Sequence, residues 1–374
     1  MKRALIISPT PSHPTDQGNR IRVTQMGQAL LARGLVVDFF YYAIDGLDQA
    51  SVDAMRAVWN AVHCVGAEGF VARQRFAENW GLDDWISPSA LTGVRRLAAS
   101  YSYDLVLCNY VWCSGLLEPF TGGKTKLIVD THDAFGDRIL KIREAGLKHL
   151  WYHTTTAEEG RGLDRADVVL AIQQEEGDLF RQYTRTPVSV IEFAMPMVKL
   201  DSLPTGKIRV GYFGSGNPWN VQSVQAFDAY LAALPDIAEL EQRFEFLLYG
   251  GICRAPGVYK VFRPQGLVDL PRHFYEDVDI VINPMIGGTG LKIKTVEALA
   301  FGRAILSTRA GGAGLEHIHP DICLSDLEVL VARLRQITGR NVVAQLSEDM
   351  QRRYQAYQRE VERKIDKVLH SLGL

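Results

Sequence analysis

Short, almost wholly apolar runs recur along the chain, each followed by a polar turn and then by a stretch whose apolar positions repeat at helical spacing. RALIIS, VVDFFYYA, DLVLCNY, KLIVDTH and DVVLAIQ lie in the first half; IRVGYFG, FEFLLYGG, VYKVFRPQG, DIVINP and AILST lie in the second. Runs apolar on both faces suit strands covered on both sides. Their alternation with amphipathic segments predicts an α/β chain with parallel, doubly wound sheets. Between the two sets, VIEFAMPMVKLDSLPTGK breaks the periodicity with Pro196 and Pro204, as a linker between domains does. The pattern therefore predicts two Rossmann-like domains, 1–195 and 205–347, and a charged amphipathic helix from about Glu348 to Leu374. No repeat of fixed period and no low-complexity tract interrupts this reading.

The densest chemistry lies in residues 279–315, DIVINPMIGGTGLKIKTVEALAFGRAILSTRAGGAGL. A buried strand ends in a glycine-rich turn, Thr289 is placed to cap a helix, and Ile293, Val296 and Ala300 share one helical face. Gly302 stands just past the helix end, and AILST resumes the sheet. Backbone N–H groups at such a start, around Gly290 and Leu291, attract phosphate, and ligands of open α/β sheets sit at the carboxyl ends of the strands. Lys292 and Lys294 are cations at the positive end of the helix dipole, a local cost of about 0.3 to 1 kcal/mol each that a bound pyrophosphate would reverse. The plainer reading of Lys294 and Glu297 is an exposed ion pair three residues apart, stabilising by about 0.2 to 0.5 kcal/mol.

Composition narrows the field. The chain has 374 residues, 47% hydrophobic and 22% charged, enough for two ordinary cores. A formal net charge of -2 gives no global attraction to nucleic acid, and none is expected as a partner. Five cysteines without a paired CxxC spacing suit a reducing cytoplasm better than a disulfide framework or zinc knuckle. No apolar run reaches the roughly 18 residues that span a bilayer, and the opening ALIIS is too short for a signal-peptide core. A cytoplasmic protein is expected, with peripheral contact at a membrane face left open.

The string GGTGLKIKTVEALAFG followed by GGAGL resembles the donor-binding segment of the two-domain glycosyltransferases of GT-B fold, specifically the large retaining group that uses nucleotide-activated sugars (glycosyl transferases group 1, family 4 type). The resemblance implies a nucleotide diphosphate-sugar as donor substrate, no cofactor and no metal, and a glycan or lipid-linked hydroxyl acceptor, as in surface polysaccharide or glycolipid assembly. It implies two domains facing a cleft, with the final helix packing back on the first domain. Glu297 takes the role of the glutamate that accepts hydrogen bonds from the ribose. Many such enzymes carry another glutamate eight positions earlier, where this chain has Thr289.

Other segments gain roles by the same resemblance. The loop after RALIIS leads to Gly18 at a helix start, with Arg20 and Arg22 behind it, and faces donor phosphates or acceptor. KLIVDTHDAFGDR places Asp130, His132 and Asp133 after a strand, and His132 becomes the first-domain histidine that touches the donor sugar. Were the reaction inverting, His132 or Asp133 would be the base. A loop packed for structure alone, or two Asp and a His holding a divalent ion, are the other readings of that string. In RVGYFGSGNPWNV, Gly214 and Gly216 mimic a dinucleotide fingerprint, but Trp219 occupies the third glycine's place. Here the family often supplies an arginine and a lysine to the diphosphate, whereas this chain has Ser215 and Asn220; Lys292 and Lys294 are placed to restore the charge. The backbone around Gly266, Leu267 and Val268 reads the nucleobase edge.

Arg73, Arg75, Arg95 and Arg96 near Phe76, Trp80 and Trp85, and Arg138, Lys141, Arg143 and Lys148 before Trp151, fit either an anionic bilayer or the wet face of helices. Two rivals to glycosyl transfer stay open: a sugar-nucleotide epimerase on the same fold, and a nucleotide-sugar-binding protein without turnover.

Overall fold

The computed structural model describes residues 1–374 except 16, 145–150, 201–203, 269 and 288–292, and, for side chains, also 141, 142 and 144. The chain divides into two compact units, Met1–Phe193 with Val361–Leu374, and Ala194–Glu360.

The first unit holds seven strands: β1 (Arg3–Ser8), β2 (Val36–Ala43), β3 (Ala61–Gly66), β4 (Leu105–Asn109), β5 (Lys126–Asp130), β6 (Val168–Ala171) and β7 (Val188–Val190). They pair in the order β3-β2-β1-β4-β5-β6-β7, all parallel. The second unit holds β8 (Ile208–Phe213), β9 (Phe244–Tyr249), β10 (Arg263–Gly266), β11 (Ile280–Asn283) and β12 (Ala304–Ser307), in the order β10-β9-β8-β11-β12, again parallel. Chain order reverses between β1 and β4 in one sheet and between β8 and β11 in the other. These are the switch points where connecting loops part and leave a crevice at the carboxyl ends.

The central strands are those the hydrophobic pattern predicts, because a strand buried on both faces must be apolar throughout. Residues 4–8 of β1 and all of β4, β6 and β11 are buried, and so is β12 at the end of its sheet. The edge strands differ from expectation for the converse reason. β3 (AVHCVG) and β7 (VSV) are half-buried along their whole length and carry no strong apolar signal. VYKVFRPQG contributes only its last four residues, Arg263–Gly266, to β10, whose outer edge tolerates Pro264. The final helix runs Arg340–Ser371, beginning earlier than its charged stretch suggests. Val343 and Leu346 continue its apolar stripe upstream, and the Arg340 guanidinium lies 2.5 Å from Asp279.

Candidate functional site

In the second unit, the loops leaving β8 and β11 meet at the switch point. The β8 loop turns at Gly214, whose N–H donates to the Tyr249 carbonyl (3.1 Å) and whose carbonyl accepts from Ile252 (3.0 Å). Asn217 then caps the Pro218–Ala232 helix through the Asn220 N–H (2.9 Å), with proline pre-set for the first helical turn. The Asn220 amide nitrogen donates to the Ser215 carbonyl (3.0 Å) and hydroxyl (3.2 Å), so its oxygen faces away from that loop. Lys294, from the helix Ile293–Ala300 that follows β11, donates to this oxygen at 3.1 Å and lies 5.5 Å from the centre of the Tyr212 ring. Lys294 is thus joined to the β8 loop, and its charge also acts on Glu297.

Glu297 lies on the same helix and is only partly exposed. Its Oε2 accepts from the hydroxyl of the fully buried Tyr275 (3.1 Å). Burial pushes this carboxyl up to about 7, against the opposing pull of the Tyr275 hydrogen bond and the Lys294 charge. The helix is held to its surroundings from below. Buried Asn283 ends β11 and donates to the Thr295 hydroxyl (3.1 Å) and the Gly311 carbonyl (3.0 Å). A Cβ at Gly311 would stand 2.3 Å from the Asn283 carbonyl oxygen, so only glycine permits that approach. At the other side of the crevice, the Gly250 N–H donates to the Gly266 carbonyl (2.8 Å); both residues have positive φ, and Leu267 beyond them is exposed. Thr289, Gly290, Leu291 and Lys292 lie outside the described residues.

In the first unit, the β1 loop reaches the helix Gly18–Ala32, whose N-cap Gln17 makes no side-chain capping bond. Arg22, expected to meet a ligand, is instead buried. Its guanidinium forks onto both oxygens of buried Asp130 (2.9 and 3.0 Å) and reaches the Glu192 carbonyl (3.3 Å). Asp130 is therefore occupied by an arginine. Among the described residues no group of three His, Cys, Asp or Glu side chains is arranged to hold a metal ion. His132, two residues on, places Nε2 2.8 Å from Asn109 Oδ1, which can only accept, and stacks on Tyr110 (centroids 4.3 Å apart, planes 17° apart). Burial, aided by Arg22 and opposed by Asp130, brings this imidazole down to about 4. Asp133 pairs with Arg138 (2.6 Å). Glu159 anchors the loop behind them by accepting from the Phe135 and Gly136 N–H groups (2.8 Å each) and the Tyr183 hydroxyl (2.7 Å).

Sequence reasoning missed Asn109, Tyr110 and Tyr275. The first had a signal: a polar residue closing an otherwise apolar strand, the place also taken by Asp130, Asn283 and Ser307. Within the basic and aromatic stretches the tryptophans gather around one buried ring, while Phe76 and the arginines near it stay exposed. Trp85 is buried, with ring centroids 5.1 to 5.6 Å from Trp80, Trp112, Trp151 and Tyr152. Arg75, Arg95 and Arg143 each reach a carboxylate, on Asp84, Glu118 and Glu78. No described helix is long and apolar enough to cross a membrane.

Comparison with known proteins agrees with this architecture. Residues 17–193 match the family described as glycosyl transferase 4-like domain, and residues 207–338 match glycosyl transferases group 1. No curated protein matches the chain in sequence. Among solved structures, sucrose-phosphate synthase from Thermosynechococcus elongatus superposes with a TM-score of 0.70 at 17% identity, covering 100% of this chain and 99% of that one. The HepE protein of Anabaena, in complex with UDP and glucose, gives 0.65 at 16% identity, covering 99% and 100%. A glycosyltransferase from Rickettsia africae gives 0.66 at 12% identity, covering 99% and 98%. At these identities the likeness establishes the fold, which is GT-B.

Proposed function

The chain belongs to the group 1 glycosyl transferases, and from that membership we propose that it moves a sugar from a nucleotide diphosphate donor to a hydroxyl acceptor. The observation that carries this reading is the Lys294–Asn220 contact at the second unit's switch point. The loop that lacks its own arginine and lysine receives a cation from the helix after β11, where a diphosphate would need it. In this reading Lys294 and the backbone from Gly214 to Ser215 and from Thr289 to Lys292 hold the diphosphate. Glu297 accepts from the ribose hydroxyls, and the Gly266–Val268 backbone meets the base. A cation fixed in place before the bond breaks stabilises the charge that grows on the departing phosphate.

We assign retention of configuration. A neutral imidazole with its pKa down at about 4 is a weak proton carrier at pH 7, and Asp133 is held by Arg138. In a retaining displacement, an oxygen of the departing phosphate takes the acceptor's proton on the same face of the sugar. The acceptor we infer is a hydroxyl of a surface polysaccharide or glycolipid.

HepE is also known in complex with UDP-glucose, which makes UDP-sugars the first donors to offer. Thermal shift with a panel of nucleotide sugars should single out one base, since a ligand at about 100 times its Kd adds roughly 2.7 kcal/mol of apparent stability. Transfer to a hydroxyl acceptor with release of nucleoside diphosphate supports the reading. Conversion of the donor to a second sugar nucleotide without acceptor would replace it with the epimerase, and binding without turnover would replace it with a carrier.

A further inference from the structure

We propose that Asn109 and the Arg22–Asp130 pair are positioning residues that hold His132 as a neutral imidazole protonated on Nε2, so that Nδ1 is the atom offered, as an acceptor, to a hydroxyl of a bound sugar. The inference rests on the glycosyl-transfer reading for its ligand, and on hydrogen-bond logic for its tautomer.

The logic starts one strand away. Asn109 closes β4 and is fully buried; its Nδ2 donates to the Ile7 carbonyl of β1 at 3.0 Å. A carbonyl only accepts, so the amide nitrogen must face it and the amide oxygen must face the other way. That oxygen lies 2.8 Å from His132 Nε2 and also only accepts, so Nε2 carries the hydrogen. A neutral imidazole has one such hydrogen, which leaves Nδ1 with its lone pair. Among the described residues the hydrogen bond of this ring runs through Nε2.

Burial keeps the ring neutral, and the charges beside it bear on how firmly. Asp130 Oδ2 stands 3.9 Å from His132 Nε2 and would draw a second proton onto the ring. The Arg22 fork occupies both of its oxygens and opposes that pull within the same buried cluster. Beside it too are the Tyr110 ring, stacked on the imidazole, and Asp133 on the following loop, paired with Arg138. The backbone is shaped to the same end. Tyr110 and His132 follow strands in register, Asn109 opposite Asp130, and both adopt positive φ (68° and 62°), which side-chain-bearing residues rarely do. Strain of this kind, at adjacent strand ends and on two stacked rings, gathers where geometry serves a ligand.

The test reads the tautomer directly. Ring 15N spectra of the full-length protein, with His132 assigned by His132→Gln, should show the Nε2–H form at pH 7. Asn109→Asp places a carboxylate on Nε2 and stabilises the imidazolium, whose Nδ1–H cannot accept. The acid limb of kcat/KM should then move upward by about one pH unit or more, while affinity for the nucleotide is unchanged. A merely packed histidine would leave that limb where it was. An Nδ1–H or doubly protonated ring in wild type at pH 7 overturns the proposal, and so does an unmoved acid limb in a folded Asn109→Asp variant. If wild type transfers no sugar from any nucleotide donor, it is the functional reading that fails, and the wild-type spectrum alone decides the tautomer.

Discussion

Glu297 and Lys294 are two residues one helical turn apart whose surroundings give them opposite tasks. The Glu297 carboxyl, raised to about 7 by burial, resists ionisation in the free protein, so this group's contribution to stability falls as pH rises from about 4.5 to 7. Ribose hydroxyls bonded to it would favour the charged form and lower its pKa. Binding of nucleoside diphosphate near pH 7 should therefore release part of a proton. Calorimetry in buffers of different ionisation heat should show this as a slope, and Glu297→Gln should abolish it. Lys294 answers to a different part of the ligand. A charge-assisted hydrogen bond contributes about 1.5 to 3 kcal/mol, so Lys294→Ala should weaken nucleoside diphosphate binding by about 10-fold to 150-fold. The bare nucleoside, which has no phosphate, should bind as before; equal losses for both would assign Lys294 to structure alone. His132 adds a pH signature of its own. Its pKa is depressed from 6.5 to about 4, so the unfolded chain takes up a proton that the fold refuses, and stability falls as pH drops through that window.

At the scale of elements, polar residues at the ends of buried strands tie one element to the next. Arg22 on the Gly18–Ala32 helix and Asp130 at the end of β5 are the clearest case, since both are nearly sealed from water. Removing one partner leaves a buried charge unpaired, and Arg22→Met should destabilise the first unit by about 3 to 5 kcal/mol in urea unfolding. Arg22→Met with Asp130→Leu should recover much of that loss; failure to do so would mean the pair's hydrogen bonds to its surroundings matter more than its charges. The sequence showed the strand, the helix and the chemistry-bearing residues of this cluster. It did not show that Arg22 faces inward, because a helix with no clear apolar stripe does not declare which side it buries. Asn109 was overlooked for a related reason. A lone Asn after LVLC reads as a strand terminus, and only the pairing of β4 with β1 and β5 puts its amide between Ile7 and His132.

At the scale of the whole molecule, the last helix serves two cores in succession. Leu346, Met350 and Tyr354 are buried within the second unit, and Val361, Ile365, Val368 and Leu369 within the first. Glu362 and Asp366 also meet Arg33 of the first unit (2.9 and 2.7 Å). Each buried aliphatic side chain stabilises by about 1.5 to 3 kcal/mol. Truncation after Glu360 should therefore lower the unfolding transition of the first unit by many degrees while leaving nucleoside-diphosphate stabilisation of the second. Loss of both would show that the units do not unfold separately.

What the amino-acid order determined by itself is local: which runs are buried strands, which stretches are amphipathic helices, where glycine must stand, and the GGTGLKIKTVEALA string that marks the family. Those features depend on period, propensity and covalent neighbourhood, which a single chain displays directly. Only the tertiary structure decided that Lys294 meets Asn220, that Arg22 serves Asp130, and that Asn109 chooses the tautomer of His132. Each of these depends on strand order and register, which bring together residues 74, 108 and 23 positions apart. A hydrophobic pattern specifies that a strand is buried; it does not specify beside which strand it lies.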